Sequence, residues 1–231
     1  MNQKYKEQLM DELVNEKIFI IEGGPFKTSG GLKVPFYIDF KKALSNPVFL
    51  EKVSKILLEK LEEENIDYIG GIETTGIPLA TNISQLSKKP FFWLRKKLRK
   101  HGLNTIIAGR SPKKNSKIAI VDDSVGGGDS IKTTEENLKK EGYNISIFIY
   151  IMEGNIMDSA FGRIKKFEKK GIKTFYLCTW KEWVEYLLKK GRISESLARY
   201  CFQFIKNPLS FDEEKLNEYK QDLENGRVWI R

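Results

Sequence analysis

The segment from Lys117 to Glu141 constrains this chain more than any other. Lys117-Ile118-Ala119-Ile120-Val121-Asp122 is an almost continuous apolar run, and it delivers two adjacent carboxylates, Asp122 and Asp123. Such a run reads as a strand buried on both faces. Gly126, Gly127 and Gly128 come next, and a helix is predicted from Ser130 to Glu141. Glycine lets the backbone turn tightly and aim successive N–H groups at one anion. The helix N-terminus adds partial positive charge at the same place. The turn therefore suits a phosphate. Two carboxylates cannot hold phosphate themselves, so their work would be to grip sugar hydroxyls or magnesium-bound water. The plainer alternative is a Gly-rich turn whose aspartates only cap a helix. The segment has no Gly-Lys-Ser/Thr and no Gly-x-Gly-x-x-Gly, which excludes the two best-known nucleotide loops.

The rest of the chain alternates helix-length and strand-length segments. A helix is predicted over roughly Lys4 to Glu16, and another from Asn46-Pro47 to about Glu64, where Asn and Pro are start signals. Strands are predicted at Ile66–Ile72, Phe91–Leu94, Ile145–Met152 and Thr174–Leu177. Helices from about Ile77 to Ser87 and Ile156 to Lys170 lie between them. Thr179-Trp180-Lys181-Glu182 is a capping box, and Trp180, Trp183, Val184 and Leu187 share a face that reads as core. Two amphipathic stretches separated by Asn207-Pro208 fill Gly191 to Arg231. This order implies an α/β fold with a central parallel sheet flanked by helices, whose ligands sit at the carboxyl ends of the strands.

Composition bounds the partners. The chain has 231 residues, 40% of them hydrophobic, enough for one sizeable domain or one domain plus a small appendage. No apolar run reaches the roughly 18–20 residues that cross a bilayer. Cys178 and Cys201 offer neither metal-ligand spacing nor a disulfide framework and read as buried thiols in a reducing cytosol. The expected setting is soluble and cytoplasmic. A net charge of +9 suits an anionic partner, either nucleic acid or a phosphorylated metabolite, although lysine on solvated helix faces accounts for much of it.

Four segments in collinear order, over about Lys17 to Leu187, resemble the type I phosphoribosyltransferases and, more narrowly, orotate phosphoribosyltransferase. Val121 to Ser130 resembles the loop that binds 5-phosphoribosyl 1-diphosphate (PRPP). Phe26-Lys27-Thr28-Ser29-Gly30 through Val34-Pro35-Phe36-Tyr37-Ile38-Asp39 is similar to that family's N-terminal segment. Gly76-Ile77-Pro78-Leu79-Ala80 resembles its Gly-Ile-Pro segment, and Arg95-Lys96-Lys97-Leu98-Arg99-Lys100-His101-Gly102 its basic loop.

The resemblance implies a phosphoribosyltransferase domain over residues 1–190, with a small hood at about 17–45; the amphipathic stretches at 191–231 read as a helical C-terminal extension for which the family offers no counterpart. It implies transfer of the phosphoribosyl group from PRPP to a pyrimidine base, orotate, in a homodimer dependent on Mg2+. Asp122 and Asp123 would hold the ribose hydroxyls, and Gly126, Gly127, Gly128, Asp129 and Ser130 would cradle the 5′-phosphate. Lys27, Arg95, Lys96, Arg99 and His101 would bind PRPP, with Lys96, Arg99 and His101 also catalytic beside Asp122 and Asp123. Phe36 and Tyr37 would stack on the base. Magnesium would be held mainly by substrate, with Asp122 and Asp123 the carboxylates open to it. For the basic loop, a solvated surface is the alternative; for Phe36 and Tyr37, ordinary core packing.

Four departures bear on the substrate. Thr74-Thr75 stands where the family has a Lys before Gly-Ile-Pro. Gly126 or Gly127 replaces a Thr, and Asp129 adds a carboxylate beside a phosphate cradle. Ile151-Met152-Glu153-Gly154-Asn155 lacks the Arg expected to pair with orotate's carboxylate. A phosphoribosyltransferase for another nucleobase, or a non-catalytic PRPP- or nucleotide-binding regulator, therefore stays open, with nucleic acid a less favoured partner.

Overall fold

A computed structural model describes residues 3–20, 25–27, 31, 33–96, 105–126, 128–154, 163–208, 211, 212, 214 and 216. Among them a six-stranded sheet forms the centre. In chain order its strands are β5 (Tyr68–Ile72), β6 (Phe91–Leu94), β7 (Ile107–Gly109), β8 (Ile118–Val125), β9 (Ile145–Glu153) and β10 (Lys173–Thr179). Their spatial order is β10-β9-β8-β5-β6-β7. All neighbours are parallel except β6 and β7, which run antiparallel. Strand β7 is an addition to the expected set: three residues carry no readable period.

Alternation along the strands sorts the core into two layers, one per face of the sheet. On β8, Ala119 and Val121 join one cluster while Ile118 and Ile120 join the other. The first layer takes in α1 (Gln3–Asn15), α3 (Pro47–Glu63) and α4 (Gly76–Ser87). The second is covered by α5 (Asp129–Lys140) and by α6 (Arg163–Lys169), which supplies Phe167. The expected helix from 156 is seen from Arg163; residues 155–162 lie outside the described residues.

Two short hairpins precede α3. Strand β1 (Phe19–Ile20) pairs with β4 (Tyr37–Ile38), and β2 (Phe26–Lys27) pairs with β3 (Lys33–Val34), both antiparallel. The short helix α2 (Phe40–Leu44) follows. Helix α7 (Trp180–Lys189) starts at the expected capping box: Glu182 N–H donates to Thr179 Oγ1 at 3.2 Å, and Thr179 N–H donates to Glu182 Oε2 at 2.7 Å. Helix α8 (Glu195–Lys206) packs on α7, and its Tyr200, Cys201 and Phe204 belong to the first core layer.

Among the described residues no helix is long and apolar enough to cross a membrane. Both cysteines are buried and unpaired with each other. Burial in apolar surroundings pushes the Cys178 thiol up to about 12.

Candidate active site

Strand β8 runs four residues further than its apolar stretch, as far as Val125, because its ladder with β9 continues to the Val125–Glu153 pair. Asp122, Asp123 and Ser124 are therefore held in extended backbone at the strand's carboxyl end. There they floor a cleft of about 250 Å³.

The backbone organises this acidic end tightly. Asp123 N–H donates to Asp122 Oδ1 at 3.0 Å, and Ser124 N–H donates to Asp123 Oδ1 at 2.7 Å. Burial raises the Asp122 carboxyl well above the ordinary carboxylate range, with the neighbouring Asp123 charge adding to it and Lys96 opposing it. Burial also raises Asp123, opposed by the Ser124 N–H, by Asp122, by the Thr75 hydroxyl and by Lys41. Two adjacent carboxyls in a confined cleft resist ionising together until a cation or hydroxyl donors arrive.

One side of the cleft is the β5–α4 turn, Glu73-Thr74-Thr75, whose Glu73–Thr74 peptide is cis. The turn abuts β8 because Gly76 has no side chain: a Cβ there would lie 2.3 Å from the Val121 carbonyl oxygen. That approach brings Thr75 to Asp123. Lys96 N–H donates to Glu73 Oε2 at 2.9 Å, which ties the end of β6 to the same turn and points Lys96 into the cleft.

The second side is the start of α5. Gly128 precedes it with φ +74°, a left-handed conformation that glycine adopts freely. Among the described residues the N-cap position, Gly128, supplies no side-chain cap, and a helix start of this kind suits an anion. Asp129 and Ser130 line the wall there.

The hood and α7 close the remainder. Lys27, Val34, Phe36, Tyr37, Ile38, Lys41 and Trp180 line it. Lys41 Nζ donates to Tyr37 Oη at 2.9 Å, a bond that raises the lysine above its usual range, helped by Asp39 and Asp123.

The structure thus brings together Lys27, Tyr37, Lys96, Asp122, Asp123, Gly126, Gly128, Asp129 and Ser130 of the expected set. Phe36 lines the cleft as well, but its ring is 1% exposed, 5.1 Å from Phe19, 4.9 Å from Trp180 and 6.2 Å from Phe204, so most of it is spent on core packing. Tyr37, at 38%, is the exposed ring of the pair. Arg95 is turned aside: its Nη1 donates to the Thr105 carbonyl at 3.3 Å, and it lines a neighbouring cavity of about 310 Å³. Lys96, Asp129 and Ser130 line both cavities. Arg99, His101 and Gly127 lie outside the described residues.

Of the lining residues outside the expected set, three bear on the chemistry. Lys41 hides in Phe40-Lys41-Lys42, which reads as a solvated helix face, and no sequence signal pairs it with Tyr37 in the strand before it. Thr75 registers in the sequence only as the loss of a lysine. Trp180 reads as core, and it is both core and cleft wall. Among the described residues no group of three or more His, Cys, Asp or Glu could hold a metal.

The model of the phosphoribosyl transferase domain family matches residues 41–184. An orotate phosphoribosyltransferase from Pyrococcus horikoshii is 32% identical over 177 residues, covering 75% of this chain and 90% of that one. An orotate phosphoribosyltransferase from Sinorhizobium fredii is 27% identical over 219 residues, covering 89% and 91%. Among solved structures, orotate phosphoribosyltransferase from Aeropyrum pernix superposes with a TM-score of 0.64 at 22% identity, covering 78% of this chain and 98% of that one. UMP synthase from Leishmania donovani gives 0.74 at 21% identity, covering 86% of this chain, which spans 42% of that longer one.

Proposed function

This chain belongs to the phosphoribosyltransferase family and, within it, to the orotate phosphoribosyltransferases, and on that premise we propose that it transfers the 5-phosphoribosyl group from PRPP to orotate, giving orotidine 5′-monophosphate and pyrophosphate. The observation that carries this reading is the Asp122–Asp123 pair at the end of β8, set directly before the uncapped start of α5. Carboxylates suit ribose hydroxyls, which donate to them. Open N–H groups suit the 5′-phosphate at the C5 end of the same sugar.

In this reading Gly126, Gly128 and Ser130 receive the 5′-phosphate, and Asp122 and Asp123 orient the ribose. Charge builds up on the departing pyrophosphate, so stabilising that charge is the main catalytic task. Lys96, anchored by Glu73 beside the Thr74-Thr75 turn, stands on that side of the cleft. Arg99 and His101 are assigned there by resemblance alone. Bound Mg2+ would neutralise part of the pyrophosphate charge, with Asp122 and Asp123 the protein carboxylates available to it. The base lies toward the hood, where Tyr37 gives an aromatic surface and Trp180 and Phe36 give a dry wall. The domain is assigned to 1–190 and the helical extension to 191–231, in a cytoplasmic homodimer. Its two buried thiols fit a reducing compartment.

A second reading, transfer to another nucleobase, draws on the absence of arginine from Ile151 to Asn155. Pyrophosphate release from PRPP and Mg2+ over a panel of orotate, uracil, cytosine, adenine, guanine and hypoxanthine separates the two. Release with orotate in preference to the others is expected. Release only with a different base selects the second reading, and silence across the panel removes both.

A further inference from the structure

We propose that Lys41 is the specificity-determining cation of this site, pairing with the acid group of an anionic base. This rests on the reading of the chain as an orotate phosphoribosyltransferase, and it answers the question that reading leaves: what holds the carboxylate when the expected arginine is missing.

Charge placement within the cleft leads to this residue. Among the described residues the cleft is lined by three cations, Lys27, Lys41 and Lys96. Lys96 belongs to the Glu73 turn, on the side assigned to pyrophosphate. Lys27 sits on β2, in the hood's outer hairpin, with an exposed side chain. Lys41 projects from α2 beside Tyr37, 2.9 Å from the phenol oxygen and 5.5 Å from the ring centroid. The ammonium therefore stands at the hydroxyl end of the one exposed aromatic ring in the cleft. A flat heterocycle stacked on Tyr37 presents its edge substituents at the ring's perimeter, within reach of this nitrogen.

The other hood side chains that border the cleft, Val34, Phe36 and Ile38, are apolar and buried, as is Trp180, so among the described hood residues near Tyr37 the charge for an acid group comes from Lys41. Lys41 is held there rather than left to wander. The Tyr37 hydroxyl accepts one of its three N–H bonds, leaving two donors for a ligand. An ammonium supplies a point charge where an arginine would supply a planar fork, so the pairing is directional toward charge more than toward shape.

The test compares Lys41→Gln and Lys41→Arg with the unaltered protein, in steady-state kinetics with PRPP and either orotate or uracil. Binding of each base is also measured by calorimetry, and folding by thermal melting. With melting unchanged, Lys41→Gln is expected to raise the KM and Kd for orotate about 10- to 100-fold. The KM for PRPP should stay within about twofold, and uracil handling should barely move, since uracil has no acid group. Lys41→Arg should recover most of the loss. A rise in the KM for PRPP with orotate affinity unchanged would make Lys41 a pyrophosphate ligand and overturn the assignment. Equal orotate affinity in all three proteins overturns it too. If the unaltered protein binds orotate without turnover, the proposed activity fails while Lys41 is still judged by the Kd values. If it binds none, both fall.

Discussion

The rings of Phe36 and Trp180 lie 4.9 Å apart, and this contact joins the hood to the first turn of α7 beneath the cleft. Phe36 sits four residues before the start of α2, and Trp180 immediately follows the last strand of the sheet. One aromatic pair therefore sets how far the hood stands from the carboxyl ends of β8 and β9. Phe19 and Phe204 pack on Phe36 as well, at 5.1 and 6.2 Å. The hood side of the cleft is thus shaped by core packing.

Phe36→Ala should be costly on that account. Removing a fully buried aromatic ring typically costs about 3–5 kcal/mol. Urea unfolding followed by tryptophan fluorescence measures this directly. A loss near that size is expected, whereas a loss under about 1 kcal/mol would mean that the ring is spent on ligand and not on core.

The Thr179 cap offers a milder perturbation of the same wall. Thr179→Ala removes the acceptor for the Glu182 N–H, and loss of a helix cap costs about 1 kcal/mol. Because Trp180 is the next residue, weaker orotate binding should accompany the lower stability. Unchanged binding at reduced stability would separate the cap from the site.

Gly76→Ala should fail for a steric reason. A Cβ 2.3 Å from the Val121 carbonyl oxygen forces the Thr74-Thr75 turn away from β8, and overpacking of this kind costs about 1–3 kcal/mol. The Thr75–Asp123 contact should be lost with it. Circular-dichroism melting together with the KM for PRPP checks both. A melting point and KM equal to those of the unaltered protein would contradict this close approach.

The acidic pair predicts a pH dependence of stability with a definite sign. Asp122 is raised when folded, so in the window between an ordinary carboxylate pKa and the raised one the folded state holds more protons. Stability then falls as pH rises through that window and stays low above it. Asp122→Asn removes the buried charge, so at pH 8 it should melt about 2–4 °C above the unaltered protein, with the difference vanishing near pH 4. Activity should move the other way, being nearly abolished. A variant less stable at pH 8 would show that Asp122 is ionised at no cost.

Much of this was legible from the residues. The apolar strands, the Asn46-Pro47 start, the Thr179–Glu182 capping box and the acidic end of β8 are set by local chemistry, and each appears close to where its pattern placed it. What escaped is what tertiary contact decides. Strand β7 has three residues and exists only by pairing with β6. Phe36 and Tyr37 are adjacent aromatics with opposite fates, because successive positions here face opposite ways and only one direction leads to Trp180. Lys41 and Lys42 look alike in sequence, yet only Lys41 reaches Tyr37 and the cleft.

The central claim is that the cleft over Asp122 and Asp123 moves a phosphoribosyl group onto orotate. The most direct measurement follows orotate's ultraviolet absorbance with PRPP and Mg2+, identifying the product by mass, in the unaltered protein and in Asp123→Asn. The account predicts stoichiometric conversion to orotidine 5′-monophosphate by the former and a rate lower by at least about 100-fold in the latter. No conversion at high protein concentration, or equal rates in the two proteins, would contradict it.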